Sequence, residues 1–389
     1  MNILVFSMVD KNNPSEAGVF KKICGEADAF KNRGFEAYLG YICDNSYIIE
    51  NRLDKVQIRV SIEGLKRYKR NRVIYDFALK AISENEIKVV YARLGVCSIQ
   101  TAIFYRNIKK CGSKLLVEIP SWPIKQRWAS FFSELKAGRV KCALHMLYNN
   151  TINSAGILFF HQSVDRIVII GLEIPKIWKI PTITISNGID TDMIPIKKVK
   201  ADEENAVDLI CVANLSVWHG LDKAIKGLYN YRKENGKTPV RLSVVGAGSD
   251  AARLKQLVER LDLADCVFFK GFKKGEDLDK EFDDADLAIS VLGADKGHLI
   301  VSDSLKSKEY CARGIPFVTG TMETKYNDLP FVYQIKESED SLCIDDVLAF
   351  YQLVKSIPEL SSMIRQYSYD NCDWRVTFEN VIRFCRDES

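Results

Sequence analysis

At 389 residues, with 47% apolar and 27% charged side chains, the chain has ample material for packed cores, which excludes disordered and collagen-like classes. At roughly 100–200 residues per domain, the length predicts two domains. The net charge of +4 conceals a division: residues 1–185 hold 28 Lys and Arg against 16 Asp and Glu, and residues 186–389 hold 27 against 35.

Apolar runs of strand length open the chain at Ile3–Phe6 and recur at Ala37–Tyr41, Val56–Val60, Lys88–Tyr91, Lys114–Glu118, Arg166–Ile170 and Thr182–Ile185. Helical periodicity fills Gly18–Arg33, Asn71–Ser83 and Ile99–Lys110. Phe20, Ile23, Cys24, Ala27 and Phe30 make one apolar helical face. From Val207 the alternation is more regular: strands at Val207–Ala213, Val240–Val245, Cys266–Gly271, Leu287–Leu292 and Pro316–Thr319. Helices are predicted between them at Leu221–Tyr231, Asp250–Leu261, Lys274–Phe282 and Asp303–Ala312. Val/Ile-rich strands with helical crossovers predict parallel sheets covered on both faces. The fold class expected is therefore α/β, with two doubly wound, Rossmann-like domains joined near Asn187–Lys200.

Eleven singly spaced cysteines, with no CxxC pair, argue against a disulfide framework or structural zinc and predict a reducing, cytoplasmic location. No basic segment with a longer apolar stretch precedes the first strand, so no secretory leader is expected. No apolar run approaches the ~20 residues of a spanning helix.

Ligands of open α/β sheets sit beyond the carboxyl ends of strands, so the strand-to-helix loops of the second half are the place to look. The first is Ala213–Asp222, with Asn214 and His219. The second is Val245–Asp250, where Gly246 and Gly248 serve either for close ligand approach or for a tight turn. The third holds Gly271 and Phe272, the latter placed to flank a flat base. The fourth leads into Leu305-Lys-Ser-Lys-Glu-Tyr-Cys-Ala-Arg-Gly-Ile-Pro-Phe317. There Ser304, Leu305 and Lys306 fall in a first helical turn whose free N–H groups cradle phosphate, and Glu309 is set to accept from a ribose diol. The competing reading is a solvated helix with ordinary caps, Ser302 and Asp303 among them.

These loops, in this order, resemble the donor-binding domain of GT-B glycosyltransferases, specifically the retaining enzymes of glycosyltransferase family 4. Asn187-Gly-Ile-Asp190, the stretch from Val244 to Phe272, and Leu305–Val318 carry the resemblance, which covers about residues 180–320. Over residues 1–180 it rests on the first strand, Gly18 and the helix after it. The diphosphate-binding Arg and Lys usual in the family match Asn214 and His219. The first Glu of its E-x7-E pair would fall at Val301. A branch associated with bacterial surface polysaccharides, with WHGxD and LKxxEYxARGIPF motifs, resembles Trp218–Asp222 and Leu305–Phe317 more closely.

The resemblance implies two domains facing a cleft: residues 1–185 on the acceptor side, with a helix about 373–389 packing back, and 186–372 binding a nucleotide-sugar donor. It implies a hexosyltransferase that needs no metal and no cofactor, the nucleotide-sugar being a substrate. Protonated His219, Lys306 and helix N-termini would offset the leaving diphosphate charge. Gly18 would admit donor phosphate. Glu118, the catalytic candidate of the first half, would contact a sugar hydroxyl, and Trp122 would stack on a pyranose or else pack in a Pro-shaped loop. His145 and His161 read as structural. Basic clusters at Lys66–Arg72, Lys109–Lys110, Lys125–Arg127 and Lys136–Lys141 suit a polyprenyl-diphosphate-linked acceptor or an anionic membrane, if they are not merely solvated. No nucleic-acid motif accompanies them, so no nucleic-acid partner is expected. A nucleotide-sugar epimerase and a non-catalytic assembly or chaperone subunit stay open as alternatives.

Overall fold

The computed structural model describes residues 1–120, 122, 140–198, 200, 206–293, 303–320, 326, 328–335 and 340–387. It divides into two compact units, Met1–Ser186 with Thr377–Ser389, and Asn187–Val376. The sequence had placed these divisions at 185/186 and 372/373.

The first unit is built on a nine-stranded sheet of order β4-β3-β2-β1-β5-β6-β7-β9-β8. Its parallel centre comprises β1 (Asn2–Asp10), β2 (Glu36–Cys43), β5 (Val89–Arg93), β6 (Lys114–Ile119), β7 (Arg166–Ile170) and β9 (Ile180–Ile185). The edges are antiparallel: β3 (Ser46–Asn51) and β4 (Gln57–Ser61) on one side, β8 (Lys176–Ile177) on the other. The β2–β3 hairpin turns on Asp44 and Asn45, both at positive φ, which matches a two-residue turn to the strand twist.

Alternation along β1 and β5 sends neighbouring side chains to opposite faces of this sheet. Tyr91 meets Phe30 of α1 (Ala17–Asn32) at 6.0 Å and Phe378 at 5.3 Å on one face. Phe378 leads into the last helix, α13 (Glu379–Arg386), so the C-terminal segment does return to this unit. On the other face Phe6 meets Phe104 at 4.9 Å, and Phe104 stacks on Tyr75 at 4.3 Å. These two rings belong to α3 (Ile99–Lys110) and α2 (Arg67–Glu84). Right-handed crossovers on either side of β1 place the helices this way. Two further helices, α4 (Val140–Ser154) and α5 (Ile157–Phe160), lie against α3.

The second unit has a wholly parallel six-stranded sheet, order β12-β11-β10-β13-β14-β15. Its strands are β10 (Val207–Val212), β11 (Val240–Val245), β12 (Val267–Gly271), β13 (Leu287–Ile289), β14 (Phe317–Thr319) and β15 (Val332–Gln334). The helices are α6 (Leu221–Lys233), α7 (Ala251–Arg260), α8 (Glu276–Asp283), α9 (Leu305–Arg313), α10 (Ile344–Lys355), α11 (Leu360–Asn371) and α12 (Trp374–Thr377). Strand order reverses between β10 and β13, so the loops after these two strands flank the topological switch point.

Candidate functional site in the second unit

The loop after β10 ends in a short 3-10 turn, Val217–His219, closed by Gly220 in the left-handed region at φ 68°. A Cβ on Gly220 would lie 2.3 Å from the Gly293 nitrogen, and Leu292 N–H donates to the His219 carbonyl at 2.9 Å. Bare backbone at both glycines therefore lets the loops after β10 and β13 close on each other.

His219 was expected to be a protonated cation; the structure corrects this. It is 4% exposed, and its Nδ1 accepts from the Ser216 N–H at 3.3 Å. Burial, with the charge of Lys306 second, pushes its pKa down to about 3. The imidazole is neutral and fixes the turn. Trp218 lies against it, centroids 3.8 Å apart.

Gly246 and Gly248 resolve toward the tight-turn reading. Added Cβ atoms would sit 1.9 Å from the Ala213 carbonyl oxygen and 2.2 Å from that of Leu215. Their missing side chains bring the β11 loop onto the β10 loop, which leaves Asn214 exposed between them. Gly271 adopts φ 70° at the end of β12, and Phe272 beyond it is 63% exposed.

The N-terminus of α9 supplies the charge. Ser304 caps the helix, its side chain accepting from the Lys306 N–H at 3.2 Å, and Leu305 is half-buried. Lys306 as a residue is half-buried, and its Nζ is buried and has no hydrogen-bond partner among the described residues. Burial lowers the pKa of this ammonium from its ordinary value. A buried amine with no partner among the described residues is a costly arrangement that an anion at this helix N-terminus would relieve.

Glu309, one turn on, accepts from Arg313 Nε and Nη2 at 3.2 and 3.0 Å through one carboxylate oxygen. The expectation for Asp303 is corrected: Ser304 is the cap, while Asp303 pairs with Lys308 at 2.7 Å and accepts from the Asn187 N–H at 2.5 Å. Asn187 thus anchors the start of the second unit to the entrance of α9. Val301 and Ser302 lie outside the described residues.

The first-unit candidates fare differently. Gly18 sits in the first turn of α1 with open space where a Cβ would be. Glu118 was expected to contact a sugar hydroxyl, but it has no exposed surface. It accepts from Lys22 Nζ at 2.7 Å, from Tyr91 at 2.9 Å and from Arg93, while Lys22 also bonds Glu26 at 2.6 Å. These two cations hold the Glu118 carboxyl far below its ordinary value against the cost of burial. Burial and the Glu118 charge raise that of Glu26. Glu118 is the anion of a closed internal network, not a sugar ligand. Sequence reasoning missed its partners Lys22 and Arg93. The Lys22–Glu26 spacing of four on a helix beside the apolar face was the signal available.

Trp122 packs edge-on against Trp178, centroids 5.7 Å apart, and onto the core of the first unit. That favours the packed reading over sugar stacking. The His145 side chain, Lys125–Arg127 and residues 136–139 lie outside what the structure describes, and His161 is exposed rather than in an apolar setting. Among the described residues, no group of three or more His, Cys, Asp or Glu is placed to hold a metal ion. No helix among them is long and apolar enough to cross a membrane.

Residues 192–321, within the second unit, match the family Glycosyl transferases group 1. Over 177 residues the chain is 29% identical to the Escherichia coli (strain K12) protein WcaL, assigned to glycosyl transfer in colanic acid biosynthesis. That stretch is 45% of this chain and 41% of WcaL, so the match spans about two-fifths of the relative's length. Across 100% of this chain the fold is similar to a glycosyltransferase from Rickettsia africae, with TM-score 0.65, 12% identity and 98% of that chain covered. It is also similar to the pneumococcal O-GlcNAc transferase GtfA, solved with UDP and GlcNAc, with TM-score 0.62 and 9% identity over 99% of that chain. The architecture is that of the GT-B glycosyltransferases: α/β, with two Rossmann-like parallel-sheet domains.

Proposed function

We propose that this chain is a retaining glycosyltransferase. It moves a hexosyl group from a nucleoside-diphosphate sugar to a glycan or lipid-linked saccharide in surface polysaccharide or glycoconjugate synthesis. The observation that carries the reading is the buried Lys306 Nζ in the first turn of α9, beside the switch-point loop after β10; this atom has no hydrogen-bond partner among the described residues. Supporting it are the family match over that segment and the likeness to WcaL.

The donor diphosphate would lie on the α9 N-terminus, with Lys306 as its counter-cation, Phe272 against the base and Glu309 toward the ribose. In the transfer, the bond from the anomeric carbon to the diphosphate oxygen breaks. The acceptor hydroxyl oxygen bonds the same carbon from the same face, and its proton passes to the departing diphosphate. Lys306 and the aligned N–H groups offset the charge developing on that leaving group without a metal. His219, neutral, contributes by holding the loop rather than by charge.

The test is a panel of nucleoside-diphosphate sugars followed by thermal shift and by mass spectrometry of products. The proposal expects one donor to raise the unfolding midpoint and to yield a new glycoside when a saccharide acceptor is added. A product with inverted sugar stereochemistry and no glycoside would replace it with an epimerase. Failure of every donor and nucleotide to bind would replace it with an assembly subunit.

A further inference from the structure

The turn after β10 exposes apolar surface that its own folding does not require. Leu215 before the turn and Leu221 after it enter the core of the second unit, 1% and 2% exposed, whereas Val217 and Trp218 between them are 51% and 39% exposed. The turn is held by polar bonds instead. The Ser216 side chain accepts from the His219 N–H, and the imidazole accepts from the Ser216 N–H and also hydrogen-bonds the Asn214 backbone. Gly220 then closes the turn against Gly293. These contacts run through backbone, Ser216 and His219, and none of them involves the indole. An exposed aromatic ring at the mouth of a crevice, with no part in holding its own loop, is the mark of a ligand contact.

The ring is nonetheless fixed in place. It lies against the His219 imidazole, centroids 3.8 Å apart and planes tilted by 41°, and that imidazole is itself buried and hydrogen-bonded. An aromatic side chain braced in this way loses little conformational freedom when a ligand covers it. His219 is also near enough to Lys306 for that charge to bear on its ring, so the indole stands on the flank of the place assigned to the diphosphate. Phe272 is elsewhere: it follows β12, the edge strand, two strands away from β10. The two exposed rings therefore serve different parts of a bound molecule.

We propose that Trp218 is the platform for the hexosyl ring of the donor, and so a residue that sets which sugar the site accepts. A pyranose carries C–H groups on its faces, and an indole is flat, apolar and electron-rich on its own face, so the two stack. The hexosyl group is bonded directly to the distal phosphate, which keeps it within reach of a ring that shares a neighbour with Lys306. The nucleobase lies beyond the ribose, toward Phe272. The inference rests on the donor reading above and adds to it the contact that reads the sugar.

The experiment is calorimetric titration of the full chain, as parent, Trp218→Ala and Trp218→Phe, with UDP and GDP and with UDP-glucose, UDP-galactose and GDP-mannose. Thermal melts of the same samples report folding, which an exposed turn residue should leave unchanged. All three proteins are expected to bind the free diphosphate alike, whereas Ala should weaken the sugar nucleotide about 3- to 10-fold and Phe much less. In the parent, a bound sugar nucleotide should also shield tryptophan emission from iodide more than the free diphosphate does, a measurement that needs no variant. Equal weakening of diphosphate and sugar nucleotide, no weakening of either in a folded variant, or no added shielding by the sugar would overturn the proposal. Donor binding unchanged with a raised KM for a saccharide acceptor would overturn it in favour of the acceptor as the occupant. If the parent binds no nucleotide at all, the donor reading falls and this inference with it. Nucleotide binding with unaltered sugar affinity in Trp218→Ala removes this inference alone.

Discussion

Lys306→Met separates a residue kept for stability from one kept for an anion, because the two roles predict opposite signs. The Nζ is buried with no partner among the described residues and its pKa is lowered by burial, so the free protein carries a desolvation cost at this position. Methionine keeps an unbranched stem of similar length and removes the amine. Relief of one unsatisfied buried polar group is worth about 1–2 kcal/mol. For a unit of this size that raises the unfolding midpoint by about 2–8 °C. A charge-assisted hydrogen bond to a diphosphate is worth about 1.5–3 kcal/mol, so nucleoside-diphosphate affinity should fall roughly 10- to 150-fold. The pH dependence follows the same logic. Between the lowered folded-state pKa and the ordinary 10.5, the unfolded chain binds a proton that the folded chain does not. Parent stability therefore rises with pH through that window, and the Met variant lacks this rise. Scanning fluorimetry without ligand and calorimetric titration with the nucleotide measure both halves. A variant less stable than the parent, binding nucleotide equally well, would refute the assignment.

His219 should stay neutral far below the usual imidazole range, with a pKa near 3, which nitrogen-detected NMR of the ring reads directly. Since its folded pKa is depressed, stability at this site is lost as pH falls below about 6.5; titration near 6.5 would contradict the burial argument. Glu118→Gln should destabilise the first unit by about 3–5 kcal/mol, because Lys22 and Arg93 lose their shared anion. Urea unfolding monitored in that unit tests this. Glu26→Gln should cost far less at neutral pH, and the parent should lose stability relative to it as pH rises above about 4.5, since the folded Glu26 holds its proton longer. Gly220→Ala should destabilise the second unit by about 1–3 kcal/mol through its positive φ and the approach to Gly293, and should lower donor affinity together with it. An unchanged melt for that variant would mean the two loops do not depend on their mutual contact.

Much of this architecture was legible because local pattern and tertiary role coincide. In β7, Arg166–Ile170, the run Ile167–Ile170 is continuously apolar and its middle is fully buried, so strand and boundaries emerge directly. The edges were harder. Ser46–Asn51 pairs antiparallel with β2 through a turn at Asp44-Asn45, and an alternation rule tuned to crossovers passes over a hairpin. Its signal was present in those two turn-forming residues. The serial loops of the second unit were placed correctly as strand-end loops, but what their residues do was not. GxG predicts close approach without saying to what, and in this fold each glycine approaches another loop's backbone. Protonation was least legible of all. Whether His219 is charged depends on burial and on Lys306, 87 positions away, and whether Glu118 meets solvent depends on Lys22 and Arg93. Those are properties of three-dimensional neighbours, which spacing along a chain does not encode.

The acidic excess of the second half would seem to repel a diphosphate, but the carboxylates on and beside α9 are paired with cations. Asp208 is met by Arg241 and Lys200, Asp250 by Arg253, Asp279 and Glu309 by Arg313, and Asp303 by Lys308. The one-to-one pairs, Asp250 with Arg253 and Asp303 with Lys308, are nearly neutral beyond the Debye length, about 8 Å at physiological salt, while Arg313 offsets one of the two charges of Asp279 and Glu309. The field at the α9 N-terminus is then set by the helix end itself and by Lys306, whose Nζ has no partner among the described residues. An anion bound there would favour the ammonium form of Lys306, since a nearby negative charge raises the pKa that burial lowers. Donor binding should accordingly take up a proton at alkaline pH, in the window between the free and bound pKa values of Lys306. Calorimetric titration in two buffers of different ionisation enthalpy counts that proton. A buffer-independent heat throughout that window would place the diphosphate away from this side chain.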